Sequence, residues 1–249
     1  MKATLKTIIV LTLIFCESLT VRGQRSNSNL QIGVGAGVFV YQGDLTPEIL
    51  GSYKTLKPSF SIYVNKIMTP LLSLRTQLAV GSLSGDDSKY ANPAYRQQRN
   101  FNFQSPLFEV SELLVADLLG DNLSKQYAGL SPYVFSGIGL TYLNIHRAYS
   151  RFNTEYFASE PGTLQGLVTD AQHSLPKLIP VIPIGIGVKY PISQKFMITA
   201  ETSYRVTFTD YIDGFSQAAN PSRSDSYQSH NVGIVYRFVS NNPMKCPVF

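Results

Sequence analysis

The chain has 249 residues and a formal charge of +5, from 21 Lys and Arg against 16 Asp and Glu. Only 15% of it is charged, where a soluble domain averages roughly 25%, while 15 Tyr, 14 Phe and 18 Gly stand out. This composition excludes a disordered chain, a coiled coil and a nucleic-acid-binding arm. A mean hydropathy of +0.00 excludes a bundle of membrane helices, but not a membrane β-barrel, whose apolar and polar residues alternate.

Residues 1–23 have the parts of a secretory signal peptide. Two lysines precede an apolar run over 8–15, and small or tolerated residues lead up to Gly23, after which we expect cleavage. The apolar run is too short to span a bilayer. Removal of this segment leaves Cys246 as the remaining cysteine, so an internal disulfide is not expected.

After residue 23 the sequence alternates apolar with small or polar residues at period two, and no helical period is sustained. Eight segments show the alternation, over 30–41, 59–65, 72–81, 102–116, 133–142, 182–190, 196–208 and 231–238. The fourth is irregular because Glu112 fits the pattern poorly, which allows a β-bulge there.

The connections between these segments alternate in length. The long ones cover 43–57, 82–100, 146–177 and 209–226, the short ones cover 67–70 and 191–195, and the one over 118–130 is intermediate. Short periplasmic turns, long outer loops and an even strand number are typical of outer-membrane barrels. The sequence therefore predicts an all-β fold over 24–238: an eight-stranded antiparallel transmembrane β-barrel in outer-membrane lipid.

The charged residues of the strands lie opposite the aliphatic face. They are Arg75, Glu109, Lys189, Glu201, Arg205 and Arg237. The competing fold, a soluble β-sandwich or lipocalin-like barrel, would turn the aliphatic face inward and need charges over its outside, where there are too few. Eight strands leave a lumen that side chains fill, so we interpret these residues as a lumenal ion network. Arg96, in a long connection, is expected to be an ordinary loop cation.

Three carboxylates, Asp44, Asp210 and Asp213, belong to the first and last long connections. They should meet at the outer rim because the first and last strands close the barrel. They could hold a hard cation such as calcium, but the favoured interpretation is that they cap loop turns through backbone amides. No metal or cofactor is therefore predicted.

Other chemistry is weakly indicated. Gly33, Gly35 and Gly37 lack dinucleotide spacing and should instead make room inside the barrel. The three histidines, His146, His173 and His230, lie in or near outer loops without metal-ligand spacing. Asp225, Ser226 and His230 supply the residue types of a hydrolase triad without a recognised motif, and no catalytic residue is predicted.

Several segments resemble the PorG-like family of small outer-membrane barrels of Bacteroidota, which is associated with type IX secretion. They are YQGDL at 41–45, FQSPLFEV at 103–110, SPYVFSGIGL at 131–140, IPIGIGVKY at 182–190, TDYIDGFS at 209–216 and KCPVF at 245–249. The stretch over 162–172 departs from the Gly-rich motif usual in that family. The resemblance implies a non-enzymatic barrel that joins the outer membrane to periplasmic or outer-membrane secretion proteins.

The barrel layout places residues 239–249 on the periplasmic side as a C-terminal tail. Its apolar end predicts a partner contact through Lys245, Cys246, Pro247 and Phe249; a frayed terminus is the alternative. Two rival functions stay open: a surface adhesion or ligand-binding barrel that uses its long loops, and an outer-membrane enzyme.

Overall fold

A computed structural model describes residues 29–120 and 129–238 of the chain. The predicted signal peptide, 1–23, and the predicted contact tail, 239–249, with Lys245, Cys246, Pro247 and Phe249, lie outside these residues.

Eight long strands form a closed antiparallel barrel. A ninth, short strand pairs with the part of one long strand that extends beyond its barrel neighbour. The strands are β1 (Leu30–Gln42), β2 (Lys57–Ile67), β3 (Leu72–Asp86), β4 (Asn102–Asp117), β5 (Ser131–Leu143), β6 (His146–Ala148), β7 (Leu178–Pro191), β8 (Phe196–Thr207) and β9 (Ser226–Arg237). Each long strand pairs with its neighbours in chain order, β6 pairs with the start of β4, and β1 pairs with β9. The predicted eight-stranded barrel is confirmed.

The two ends of the described barrel lie at one rim. Gln31 pairs with Arg237 at this end of the β1–β9 ladder, and the connections 68–71 and 192–195, the end of β4 and the start of β5 lie on the same side. The longer connections all lie at the opposite rim. By the layout of outer-membrane barrels, the first rim is periplasmic and the second is external.

The β3–β4 ladder has one continuous register from Leu72↔Ala116 to Asp86↔Asn102. The β-bulge that the sequence allowed is therefore not present. Glu112 keeps its place in the alternation and points outward, where the Thr76 hydroxyl donates a hydrogen bond to its Oε2 at 2.8 Å. The sequence pattern is irregular because an acidic residue lies on the aliphatic face. The backbone itself is regular.

The outer wall is a belt of exposed aliphatic side chains. Its members come from all around the barrel and include Val34, Ile62, Val80, Val110, Ile138, Ile184, Ile198 and Ile234. A continuous exposed apolar surface of this kind is the lipid-facing band of a transmembrane barrel. Neither α-helix of the described residues has the length and apolar character to cross a bilayer.

The long connections fold into a packed cap over the external rim. The described part of the cap contains two α-helices, α1 (Tyr95–Arg99) and α2 (Pro161–Gln172), and two 3₁₀ helices, Tyr53–Thr55 and Asp87–Lys89. The sequence pattern predicted no helix. Gly166 and Asp170 are the buried residues of α2. Because neither is a large apolar residue, hydrophobic periodicity could not reveal this helix.

Aromatic and aliphatic side chains from different connections form the core of the cap. Phe101 stacks on Phe215 with ring centroids 4.1 Å apart, and Phe152 stacks on Phe101 at 5.7 Å. Leu45, Ile212 and the two stacked rings of Phe101 and Phe215 are fully buried. This cluster continues downward into the upper lumen, so the cap and the barrel share one core.

Candidate functional site

The lower lumen contains an ion pair between Arg75 on β3 and Glu201 on β8. Arg75 Nη1 lies 2.6 Å from Glu201 Oε1, and Arg75 Nε donates to Asn65 Oδ1 at 2.8 Å. The Tyr133 hydroxyl donates to the same glutamate oxygen at 2.5 Å, and the guanidinium lies 4.1 Å from the Tyr63 ring centroid. Arg75 is thus held by a carboxylate, an amide and aromatic rings.

A second pair lies nearer the external rim, between Arg205 on β8 and Glu109 on β4. The Arg205 Nε and Nη2 atoms each lie 3.2 Å from a Glu109 oxygen, so the contact is bidentate. The Tyr227 hydroxyl and the Ser111 hydroxyl also donate to Glu109, both at 2.8 Å. Every oxygen of this buried carboxylate therefore has a hydrogen-bond donor.

The remaining predicted lumenal cations lie toward the periplasmic rim. Lys189 forms an ion pair with Asp117, and Arg237 is buried at the end of β9. The sequence pattern placed Glu201 and Arg205 in one network. In the structure these two residues share one face of β8 with Ser203 between them, and their ion-pair partners differ: Glu201 pairs with Arg75, and Arg205 pairs with Glu109.

Side chains fill the lumen around these pairs. A cavity lined by Tyr63, Arg75, Asp117 and Lys189 among others has a volume of about 20 Å³, room for about one water. Gly33 permits the Tyr63 ring to lie against β1, because a Cβ there would lie 2.2 Å from that ring. At this level the barrel is plugged by its own residues.

Inside the cap, Asp87 receives hydrogen bonds from two arginines. Arg96 Nη1 lies 2.8 Å from Asp87 Oδ1, and Arg99 Nε lies 2.7 Å from Oδ2. Both guanidinium groups also donate to the Asp44 carbonyl, at 2.9 and 3.0 Å. The expectation that Arg96 is an ordinary loop cation is wrong, because it is buried and joins two connections.

Tyr41, at the external end of β1, joins two buried aspartates of the last connection. Its hydroxyl lies 2.6 Å from Asp213 Oδ2 and 2.7 Å from Asp225 Oδ1. A hydroxyl has one proton to donate, so it can donate to only one of the two carboxyl groups. The proton of the second hydrogen bond must come from a carboxyl group. Burial, with the neighbouring carboxylates, raises the pKa of both Asp213 and Asp225 well above the ordinary range. The three groups thus share protons in a closed site.

Asp44 and Asp210 lie close to this site, on the first and last connections. Asp44 Oδ2 accepts from the Asn220 amide at 2.8 Å. Burial, with the carboxylates of Asp44 and Asp170 nearby, raises the pKa of Asp210 to about 7. Across residues 29–120 and 129–238, no three His, Cys, Asp or Glu side chains are arranged to hold a metal ion. Asp44 and Asp213 accept from backbone amides of the cap, as expected. The same expectation is wrong for Asp210, whose buried carboxyl oxygens accept no backbone amide of the described residues.

The residues of the triad alternative are not assembled. His230 bonds to the Tyr53 hydroxyl through Nε2 at 2.9 Å and to the Thr202 hydroxyl through Nδ1 at 2.8 Å. Asp225 instead contacts Tyr41 inside the cap, and Ser226 accepts from the Tyr204 hydroxyl at 2.6 Å. Of the other histidines, His173 stacks on Tyr211 at 4.0 Å, and His146 is exposed on β6.

A family model described as a domain of unknown function, DUF6089, matches residues 6–240. The chain belongs to this family. No curated protein matches it in sequence.

The chain is similar to several solved structures at low sequence identity. Neisserial surface protein A (NspA) is 12% identical over 85% of this chain and 98% of its own, with a TM-score of 0.46. The attachment invasion locus protein Ail of Yersinia pestis is 11% identical over 84% and 97%, with a TM-score of 0.44. The outer membrane enzyme PagL is 10% identical over 82% and 97%, with a TM-score of 0.37.

In this DUF6089 chain, sequence reasoning missed the buried acids Asp87, Asp117 and Asp170. Asp117 continues the inward alternation of β4 from Glu109, so extending the strand by one residue would have found it. Asp170 accepts from the backbone amides of Ser216, Gln217 and Ala218 at 3.1, 3.1 and 2.9 Å. No local pattern indicates that contact, because it joins a helix to a distant connection.

Proposed function

We propose that this outer-membrane barrel is a non-enzymatic anchor or accessory component of a type IX protein secretion assembly. The observation that carries the proposal is the filled interior. The ion pairs Arg75–Glu201 and Arg205–Glu109 cross the lumen, and the packed cap lies over its external end. A barrel without a conduit acts through the surfaces that it presents to lipid, periplasm and exterior.

The secretion role is supported by two segments that resemble PorG-like barrels. YQGDL contributes Tyr41 and Asp44, and TDYIDGFS contributes Asp213. Tyr41 donates to Asp213, and Asp44 bonds to Asn220 in the same final connection. The most specific parts of the resemblance therefore make two contacts with the last connection, and the contact from Tyr41 joins the cap to β1.

Deletion of the gene in the native organism, followed by complementation, tests the proposal. Type IX cargo should accumulate in the periplasm of the deletion strain and return to the cell surface when the full chain is restored. Purified barrel in phosphatidylcholine vesicles should pass no small solutes. Normal cargo at the surface without the chain would refute the secretion role, and solute flux would refute the filled interior.

Surface adhesion or ligand binding is the second candidate, favoured by exposed aromatic residues on the cap. Tyr95, Tyr149 and Tyr156 are all exposed there. A barrel with these three tyrosines replaced by Ser should still support cargo secretion under the first proposal. Under the second, cargo secretion is independent of the chain, and the triple variant reduces attachment of cells to surfaces.

A further inference from the structure

The lipid-facing wall carries a carboxylate at the middle of its aliphatic belt. On β4, Glu112 points outward between Val110 and Leu114, which are both exposed. On β3, the register partner of Glu112 is Thr76, which lies between exposed Leu74 and Leu78 in the same way. Glu112 is therefore surrounded by the side chains that face hydrocarbon.

Within the described residues, the only hydrogen-bond partner of the Glu112 carboxyl group is a hydroxyl. Thr76 Oγ1 donates to Glu112 Oε2 at 2.8 Å, and no ion pair of the described residues includes Glu112. Ionisable residues at the bilayer centre are costly and normally have a partner. Among residues 29–120 and 129–238, the lipid-facing carboxyl group of Glu112 therefore has a hydroxyl partner and no cation partner.

The neighbouring ladder is interrupted at the same depth. Gly137 and Ile138 on β5 have no register partners in β7, whose Pro183 has no N–H to donate. A Cβ on Gly137 would lie 2.0 Å from the Glu112 carbonyl oxygen, so β5 lies close to β4 here. Ile138, the register partner of Glu112, is 71% exposed and is the most exposed aliphatic side chain of the belt.

A carboxyl group without a cation partner in the described residues, an interrupted ladder and a protruding side chain thus occur together on one part of the wall. We propose that Glu112 and Thr76 form a docking site within the bilayer for a second integral membrane protein that presents Lys or Arg at mid-membrane depth. Charge complementarity selects this partner. Ile138 supplies the apolar contact beside the ion pair.

A second copy of the chain does not fit the same site. Lys66 is an outward-facing cation of the described wall, but it lies at the periplasmic end of β2, opposite Leu30. Two copies joined through this patch would bring two carboxyl groups together. The inference requires only that the barrel spans a bilayer, and it is independent of the secretion role.

Association with a defined membrane-spanning probe tests the proposal. The full folded chain, labelled at its amino terminus, is reconstituted in phosphatidylcholine vesicles with a Leu-rich transmembrane helix that carries one central Lys. Energy transfer should show at least tenfold tighter association than with the same helix carrying a central Leu. Glu112→Leu should abolish the difference, while Thr202→Leu, on the opposite wall, should retain it.

Slower gel migration after heating verifies that each variant is folded. A double variant, Glu112→Leu with Ile234→Glu, moves the carboxylate to another wall and should not restore the preference for the Lys helix. Equal binding of both helices to the wild type would overturn the proposal. So would full binding by the double variant, because then any belt carboxylate suffices, or self-association of the barrel without helix binding.

Discussion

The Arg205 guanidinium on β8 and the Glu109 carboxylate on β4 form a bidentate ion pair across the lumen, between strands that are not neighbours in the barrel. Both side chains are almost fully buried. The pair therefore connects distant parts of the barrel wall through the interior. Removal of either side chain leaves the charged group of the other one buried without its partner.

Arg205→Ala should lower the free energy of unfolding by about 3–5 kcal/mol, the usual cost of removing one partner of a buried pair. The measurement is urea unfolding of the refolded barrel in detergent micelles. Arg151→Ala is the matched control because Arg151 is exposed in an external connection, and its effect should stay within about 0.5 kcal/mol. Similar small effects of both variants would show that the pair contributes little.

Tyr41→Phe should loosen the cap while leaving the barrel assembled. The variant removes the hydroxyl between Asp213 and Asp225, and a buried polar group left without its partner costs about 1–3 kcal/mol. The chain has no Trp, so the substitution Phe152→Trp provides a single fluorescent reporter of cap unfolding. Tyr53→Phe, which removes an exposed hydroxyl bonded to His230, serves as the control and should leave the cap unchanged.

Cap stability should decrease as pH rises. Asp210 has a pKa of about 7 in the folded cap, above its ordinary value, so the folded state binds a proton that the unfolded state releases. That contribution is fully present below about pH 4 and is lost as pH rises through about 7. The raised pKa values of Asp213 and Asp225 act in the same direction.

The urea midpoint of the fluorescent Phe152→Trp variant at pH 5.5 and 8.5 measures this dependence. The midpoint should be higher at pH 5.5, and Asp210→Asn should reduce the difference, because the amide does not titrate. A midpoint that rises with pH would contradict the assignment of protonated carboxyl groups in the cap.

Gly166→Ala should displace α2 from the last connection. A Cβ at Gly166 would lie 2.3 Å from the Gln217 carbonyl oxygen, whereas nothing lies within 4 Å of one at Gly162. We expect faster proteolysis of the external connections in Gly166→Ala. Gly162→Ala, in the same helix, should be neutral or slightly protective because Ala favours helix. Equal rates of proteolysis in the two variants would show that the contact between α2 and the last connection does not hold the cap.

Removal of residues 241–249 tests the predicted periplasmic contact. The eight strands end at Arg237, so the truncated chain should assemble and remain heat-modifiable on gels. We expect weaker recovery of secretion components and less cargo at the surface. If the truncated chain supports secretion as well as the full chain, the contact role of Lys245, Cys246, Pro247 and Phe249 is wrong.

The barrel could be predicted from the sequence because each strand carries its own signal. Outward Ile184 and Ile186 alternate with inward Gly185 and Gly187, and such alternation identifies a strand without knowledge of its neighbours. The pairing of β1 with β9 then follows, because a barrel closes when its first and last strands pair. The inward face of Arg75 and Glu109 followed from the same periodicity.

The cap could not be predicted in this way. Its contacts join residues far apart in sequence, such as Asp44 to Asn220 and Asp170 to Ala218, and the participating connections have no repeating pattern. The sequence also leaves the pairing of the lumenal ions open between candidates such as Arg75 and Arg237, because alternation gives the face of Glu201 but not which strand lies opposite it.

The pairing of β1 with β9 makes the last strand decisive for assembly. Until Ser226–Arg237 joins Leu30–Gln42, both strands next to the opening present unpaired backbone amides and carbonyls, which hydrocarbon cannot satisfy. The two strands lie at opposite ends of the described chain, so this step requires the longest loop closure of the fold. Insertion and closure must therefore proceed together, and a chain interrupted within β9 would remain an open sheet, prone to pair edge to edge with other chains.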